Sequence, residues 1–196
     1  MAAYFEPASH GGAAIALDEV EISILRSLAV QFLELVGPGP GAPDDASDPL
    51  ARLFTDGPTE PPDDPALARL FPSAYHDPGR TPDDRAEADS AEFRRFTEPD
   101  LRARKRDNAL LVVRALDGLH PAGGRPAALR LSAADAPRWL TTLNDLRLTI
   151  GSRLDVDEDP DSELYRLPDR DPRKPLVMAY MWLGALQETL VETQLR

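Results

Sequence analysis

A chain of 196 residues suffices for one domain that buries roughly 70% of the surface its unfolded form would expose, and 42% hydrophobic with 29% charged residues is ordinary globular usage. A formal net charge of −12 opposes non-specific contact with DNA or anionic lipid, both of which are polyanions. The absence of cysteine excludes disulfides, thiolate metal ligands, cysteine nucleophiles and thiol switches within the chain, so a redox role needs methionine or a partner.

The N-terminal "MAAYFEPASHGG" has neither the basic nor the apolar region of a secretory signal. The longest uncharged stretch, Pro175 to Gln187, is shorter than a membrane span. Together these features predict a soluble cytoplasmic protein without membrane contact. "AAYFEP" and "GAAIAL" flank Ser9, His10, Gly11 and Gly12, a pattern that fits a short hairpin. From Asp18, a helix N-cap, "EVEISILRSLAVQFLELV" places Val20, Ile24, Leu25, Leu28, Phe32 and Leu35 on one apolar stripe, and "GPGPG" ends the helix.

Residues 37 to 90 hold eleven of the twenty prolines and many aspartates, which reads as a surface excursion from a single domain spanning 1 to 196. "DPLARLF" at 48 to 54 and "DPALARLF" at 64 to 71 repeat within it, each with Asp then Pro at a helix start and with Leu, Leu and Phe at helical spacing. Two short helices pinning the excursion to the body are expected, because short helices need something to pack on.

"RRFTEPDLRARKR", residues 94 to 106, carries a local charge of +4 in this acidic chain. Thr97 and Asp100 resemble a capping box with Pro99 in the first turn, predicting a helix that runs from there to Gly118. Its basic side chains have three readings: pairing with the acidic loops, contact with an acidic protein surface, or nucleic-acid binding. No aromatic interleaving or DNA-binding signature favours the third, so direct DNA binding is not expected. Arg94, Arg95, Arg102, Arg104, Lys105 and Arg106 are taken as the partner-binding residues, since arginine clusters suit carboxylate-rich partners.

"AALRL" is expected as a strand pairing with the N-terminal hairpin. "APRWLTTLNDLRLTI", capped by Ser132 or Asp135 and closed by Gly151, is a helix with Trp139, Leu140, Leu143, Leu146 and Ile150 inward. Within it Asn144, Asp145 and Arg147 form a structural polar network in which Asp145 and Arg147 tie the helix to a neighbour. "PLVMAYMWLGALQETLVETQL", with Pro175 at the first position, is apolar nearly all round as far as Leu186, the pattern of a central bundle helix. Trp139, Tyr180 and Trp182 are expected as core aromatics. The fold class is therefore mainly α: a bundle of about four main helices, a small N-terminal β-hairpin or sheet, and a proline-rich insert.

Reactive constellations are largely missing. "DVDEDPDSE" alternates Asp155, Asp157, Asp159 and Asp161 as a calcium loop does, but Pro160 stands where glycine must turn and Arg166 where a glutamate must ligate. His10, His76 and His120 lack metal-ligand spacing, and no phosphate loop, nucleophile elbow or dinucleotide fingerprint is present. No cofactor, metal or enzymatic activity is expected.

"LARLFPSAY", "EFRRFTEPDLR", "WLTTLNDLRLTIGSRL" and "WLGALQETLV" resemble, in order and wording, an actinobacterial family catalogued as a domain of unknown function and encoded beside the proteolytic adaptor ClpS. Members are described as oxidative-stress transcriptional regulators (AosR). The resemblance implies a small, helical, non-enzymatic cytoplasmic regulator acting through a sigma factor or RNA polymerase, with ClpS-linked proteolysis as the alternative. The switch described for the family uses a cysteine pair, which this chain does not have.

Overall fold

The computed structural model describes residues 4–37, 57–75, 81, 83–157, 159 and 162–195. β1 (Glu6–Pro7) and β2 (Ala13–Leu17) form the expected hairpin, joined by a single turn of 3-10 helix at Ser9–Gly11. β3 (Ala127–Leu131) pairs antiparallel with the whole of β2, from Ala13 opposite Leu131 to Leu17 opposite Ala127. At Gly12 a β-carbon would sit 2.4 Å from the Leu131 carbonyl oxygen, so the close approach of β3 requires glycine there. Ala13, Ile15 and Leu17 turn inward on alternate positions of β2, and Leu129 and Leu131 do so on β3.

α1 (Glu19–Val36) starts at a complete capping box: the Asp18 carboxylate accepts from the Glu21 amide at 2.8 Å, and the Asp18 amide donates to Glu21 Oε2 at 2.9 Å. Its buried face is Leu25, Ala29, Phe32 and Val36, while Val20 and Ile24 are exposed. The predicted stripe was therefore rotated, because Ala29 is too small to mark a face by hydrophobicity although it is fully buried. α2 (Pro65–Leu70) forms as expected, with the Asp64 carboxylate accepting from the Ala66 and Leu67 amides, and it buries Ala66, Leu70 and the following Phe71 against α4 (Ala136–Leu154). The repeat at 48 to 54 lies outside the described residues.

α3 (Asp84–Asp117) departs from the sequence expectation. It begins thirteen residues before Thr97, capped by the Asp83 carboxylate accepting from the Ala86 amide, so residues 84 to 90 belong to this helix and not to the excursion. Thr97 does not cap; its hydroxyl donates back to the Phe93 carbonyl at 2.8 Å. Pro99 sits inside the helix and cannot supply an amide to the Arg95 carbonyl. Gly57 lies against that carbonyl: a β-carbon there would be 2.1 Å from the oxygen and 3.0 Å from Pro99 Cγ. The helix ends at Gly118, as expected.

α4 buries Trp139, Leu143, Leu146 and Ile150, with Leu140 partly buried, and it packs against α1, α2, α3 and α5 (Lys174–Gln194). It runs three residues past Gly151 and is closed by Asp155 in the left-handed conformation. α4, not α5, is thus the central helix. α5 keeps Val177, Leu183, Leu186 and Leu190 inward but exposes Met178 and Met181. Trp139 is buried edge-on to Phe5, with ring centroids 6.4 Å apart, whereas Tyr180 and Trp182 are half-buried at the margin of the core.

Candidate functional site

The basic segment of α3 is turned largely inward. Arg94, Glu98 and Arg102 stand one helical turn apart and are all buried. Arg94 Nη1 donates to Glu98 Oε2 at 2.6 Å, and Arg102 donates to Glu98 Oε1 through Nε at 2.8 Å and Nη2 at 2.7 Å. One carboxylate thus neutralises two guanidinium groups with both of its oxygens, the geometry a buried charge requires. The remaining donors meet backbone carbonyls at helix ends. Arg102 Nη1 reaches the Val36 carbonyl at 2.6 Å, and Arg106 Nη1 reaches Leu33 at 3.0 Å. Arg94 Nη1 reaches the Phe71 carbonyl at 3.0 Å, while its Nη2 meets Ser73 Oγ at 3.3 Å.

Carbonyls in the last turn of a helix have no partner within the helix and carry the negative end of its dipole. Arg102 and Arg94 supply such donors at Val36 and Phe71, at the C-terminal ends of α1 and α2, while the Leu33 carbonyl, which already accepts from the Gly37 amide at 3.1 Å, takes Arg106 as a second donor. Phe71 completes the packing, with the Arg102 guanidinium 4.3 Å and the Lys105 ammonium 6.0 Å from its ring centroid.

Lys105 Nζ bonds Asp145 Oδ1 at 2.6 Å across the α3–α4 contact, with both side chains nearly excluded from solvent. Asp145 Oδ2 is buried without a partner. Burial pushes the Asp145 carboxyl above its ordinary value, against the opposing effect of the Lys105 hydrogen bond and charge. Arg147 faces the other way. Its Nη1 donates to Gln187 Oε1 at 2.9 Å, its Nη2 to Tyr180 Oη at 3.3 Å, and its guanidinium lies 4.9 Å from the Tyr180 ring centroid. Asn144 Oδ1 accepts from Gln187 Nε2 at 3.3 Å. Asp145 and Arg147 therefore do not act on one neighbour: Asp145 holds α3, and Asn144 with Arg147 holds α5.

Of the six basic residues singled out, Arg94 and Arg102 are buried, Lys105 and Arg106 are partly buried, and Arg95 and Arg104 are exposed. The expected cationic surface is thus reduced to two guanidinium groups, because the other four cations meet Glu98, Asp145 and helix-end carbonyls. Three exposed aromatics, Tyr75, Phe93 and Phe96, lie in or beside this stretch of α3. Tyr75 packs edge-on to Phe93 with centroids 6.0 Å apart, and Arg95 lies 5.1 Å from the Phe96 centroid. Sequence patterning did not mark Phe93 or Phe96, because the expected helix began at Thr97 and left both before it. Among the described residues no group of three or more His, Asp or Glu side chains could hold a metal ion. Among the same residues no helix is long and apolar enough to cross a membrane.

The chain is similar over most of its length to proteins named oxidative stress regulator AosR. The relatives from Mycobacterium bovis and Mycobacterium tuberculosis are each 32% identical over 178 residues, covering 87% of this chain and 77% of theirs. No solved structure matches it. Residues 1–194 match the family described as Domain of unknown function (DUF2017). Sequence resemblance, the matched span and the identity to these regulators agree, and the chain belongs to the DUF2017 family.

Proposed function

We propose that this protein is a non-enzymatic, transcription-associated stress regulator that acts by binding a protein of the transcription machinery, a sigma factor or RNA polymerase. The observation that carries the reading is the similarity of 87% of the chain to proteins named oxidative stress regulators. The geometry supports a binding role: the buried cations of α3 stitch helices together, and its exposed residues include Phe93, Arg95, Phe96 and Arg104, interspersed with Glu92, Asp100 and Asp107. Exposed aromatics interspersed with arginine are the composition of binding hot spots. With four of the six cations turned inward, little of the basic segment is left to contact phosphates, which disfavours direct nucleic-acid binding.

Affinity capture from the native host lysate, comparing wild type with an Arg95→Glu/Arg104→Glu double variant, tests the proposal. Sigma factor or RNA polymerase is expected with wild type and depleted at least about tenfold with the variant, which retains the wild-type circular-dichroism spectrum. Recovery of ClpS or its protease in place of polymerase would assign the protein to regulated proteolysis and sink the transcription reading.

A further inference from the structure

Within a chain that has no cysteine, methionine is the side chain through which an oxidant can act directly. The chain has three methionines. Met1 lies outside the described residues; Met178 and Met181 are 61% and 55% exposed, one turn apart on the outward face of α5. An exposed, unbranched apolar side chain on a helix otherwise packed by leucine is open to a small oxidant, and sulfoxidation makes it polar and chiral.

Met181 also lines an open groove of about 740 Å³ between α4 and α5, together with Arg147, Tyr180, Gln187 and the carboxylate side chains of Glu188 and Glu192. Arg147 lies against Gly184, where a β-carbon would meet its Cζ and Nε in ordinary contact at 3.5 Å. Its hydrogen-bond partners, Gln187 and Tyr180, are neutral, and its Nε is buried without an acceptor. A cationic side chain whose hydrogen-bond partners are neutral, in the same groove as a thioether, can donate through its Nη groups to a strongly accepting oxygen added at that sulfur.

We propose that Met181, with Arg147, is the oxidant-responsive site of this chain, Met178 being an exposed neighbour that does not line the groove. This rests on the stress-regulator reading above. The oxidant is a peroxide. The Met181 sulfur attacks one peroxide oxygen, the O–O bond breaks as the S–O bond forms, and the departing hydroxide takes the proton from the sulfur-bound oxygen to leave water. Sulfur is oxidised by two electrons and the peroxide is reduced. The Arg147 guanidinium donates to the departing oxygen and afterwards to the sulfoxide oxygen, which turns an apolar wall of the groove polar.

The test exposes the full chain to graded hydrogen peroxide and follows sulfoxide at each methionine by peptide mass spectrometry. Met181 is expected to oxidise about threefold to tenfold faster than Met178, the factor one additional hydrogen bond supplies. Arg147→Gln is expected to remove that difference while Met178 keeps its rate, which serves as the folding control within the same molecule. Arg147→Lys, which keeps a cationic donor, is expected to restore part of it. Equal rates at the two methionines in wild type, or a preference for Met181 that survives Arg147→Gln, overturn the proposal. Capture of polymerase by oxidised wild type and by Met181→Leu separates this idea from the one beneath it. Polymerase binding that does not change on oxidation overturns Met181 as a switch while leaving the regulator reading intact. Selective oxidation of Met181 in a protein that captures no polymerase removes the regulator reading and leaves the reactive site.

Discussion

Glu98 shows how little of a charged residue's role can be judged from the charge alone. Its two oxygens are the acidic partner of Arg94 and Arg102, and all three side chains are buried. Replacing one member of a buried ionic group strands the others, at a cost of about 3–5 kcal/mol. Glu98→Gln is therefore expected to lower the urea midpoint by that equivalent, with the slope of the transition unchanged. The Lys105–Asp145 pair differs in that Asp145 keeps an oxygen without a partner. Lys105→Met alone leaves a lone buried carboxylate and should destabilise by roughly 3 kcal/mol, whereas Lys105→Met with Asp145→Leu should come within about 1 kcal/mol of wild type; a double variant as unstable as the single one would show that the pair itself is net stabilising. The raised Asp145 pKa has a defined sign. The folded state holds the proton more tightly than the unfolded state, so this group's contribution falls as pH rises from the ordinary carboxylate value through the raised one. Asp145→Asn should remove that fall, read as a smaller change of urea midpoint across the same interval.

Among the elements, α3 is a helix interrupted by proline yet continuous through it. The carbonyl left without an in-helix donor by Pro99 lies where the chain at Gly57 touches the helix. Gly57→Ala places a methyl 2.1 Å from that oxygen and should cost about 1–3 kcal/mol, as overpacking does. Gly184→Ala is the contrasting case, because its methyl meets the Arg147 guanidinium at an ordinary 3.5 Å within a regular helix. A gain of up to about 1 kcal/mol is expected there from helix propensity alone. Thermal unfolding of the two variants side by side checks both, and a destabilised Gly184→Ala would mean that Arg147 is held more tightly than its neutral partners suggest.

At the scale of the molecule, α4 touches every other long helix, and α3 closes the far side by capping the ends of α1 and α2. Charge reversal consequently has opposite outcomes within one short segment. Arg102→Glu should set two buried carboxylates against each other and leave the Val36 carbonyl without a donor, so that the chain no longer folds cooperatively. Arg104→Glu, on the exposed face, should leave the thermal midpoint nearly unchanged, because surface substitutions stay within about 0.5 kcal/mol. Comparable melting curves for the two variants would refute the inward orientation of Arg102.

Several elements were legible in the residues themselves. Asp18, Asp64 and Pro175 each mark a helix start because capping and the fixed proline φ are local effects. The hairpin around Gly12, the β3 strand and the inward face of α4 follow from turn chemistry and periodicity, which extend over a few residues. The start of α3 differs from the pattern because Thr97, Pro99 and Asp100 reproduce a helix start, and the packing of a longer helix against α1 outweighs that local signal. α5 reads as central in the sequence because its leucines and methionines are equally apolar, and hydrophobicity does not say which side a neighbour covers. The sequence by itself determined the helical class, most helix starts and the lack of thiol chemistry. Only the tertiary structure decided that four of the segment's six cations would turn inward: Glu98 lies within the segment, but the helix-end carbonyls of α1 and α2 and the Asp145 carboxylate are brought to α3 by long-range packing and not by sequence distance.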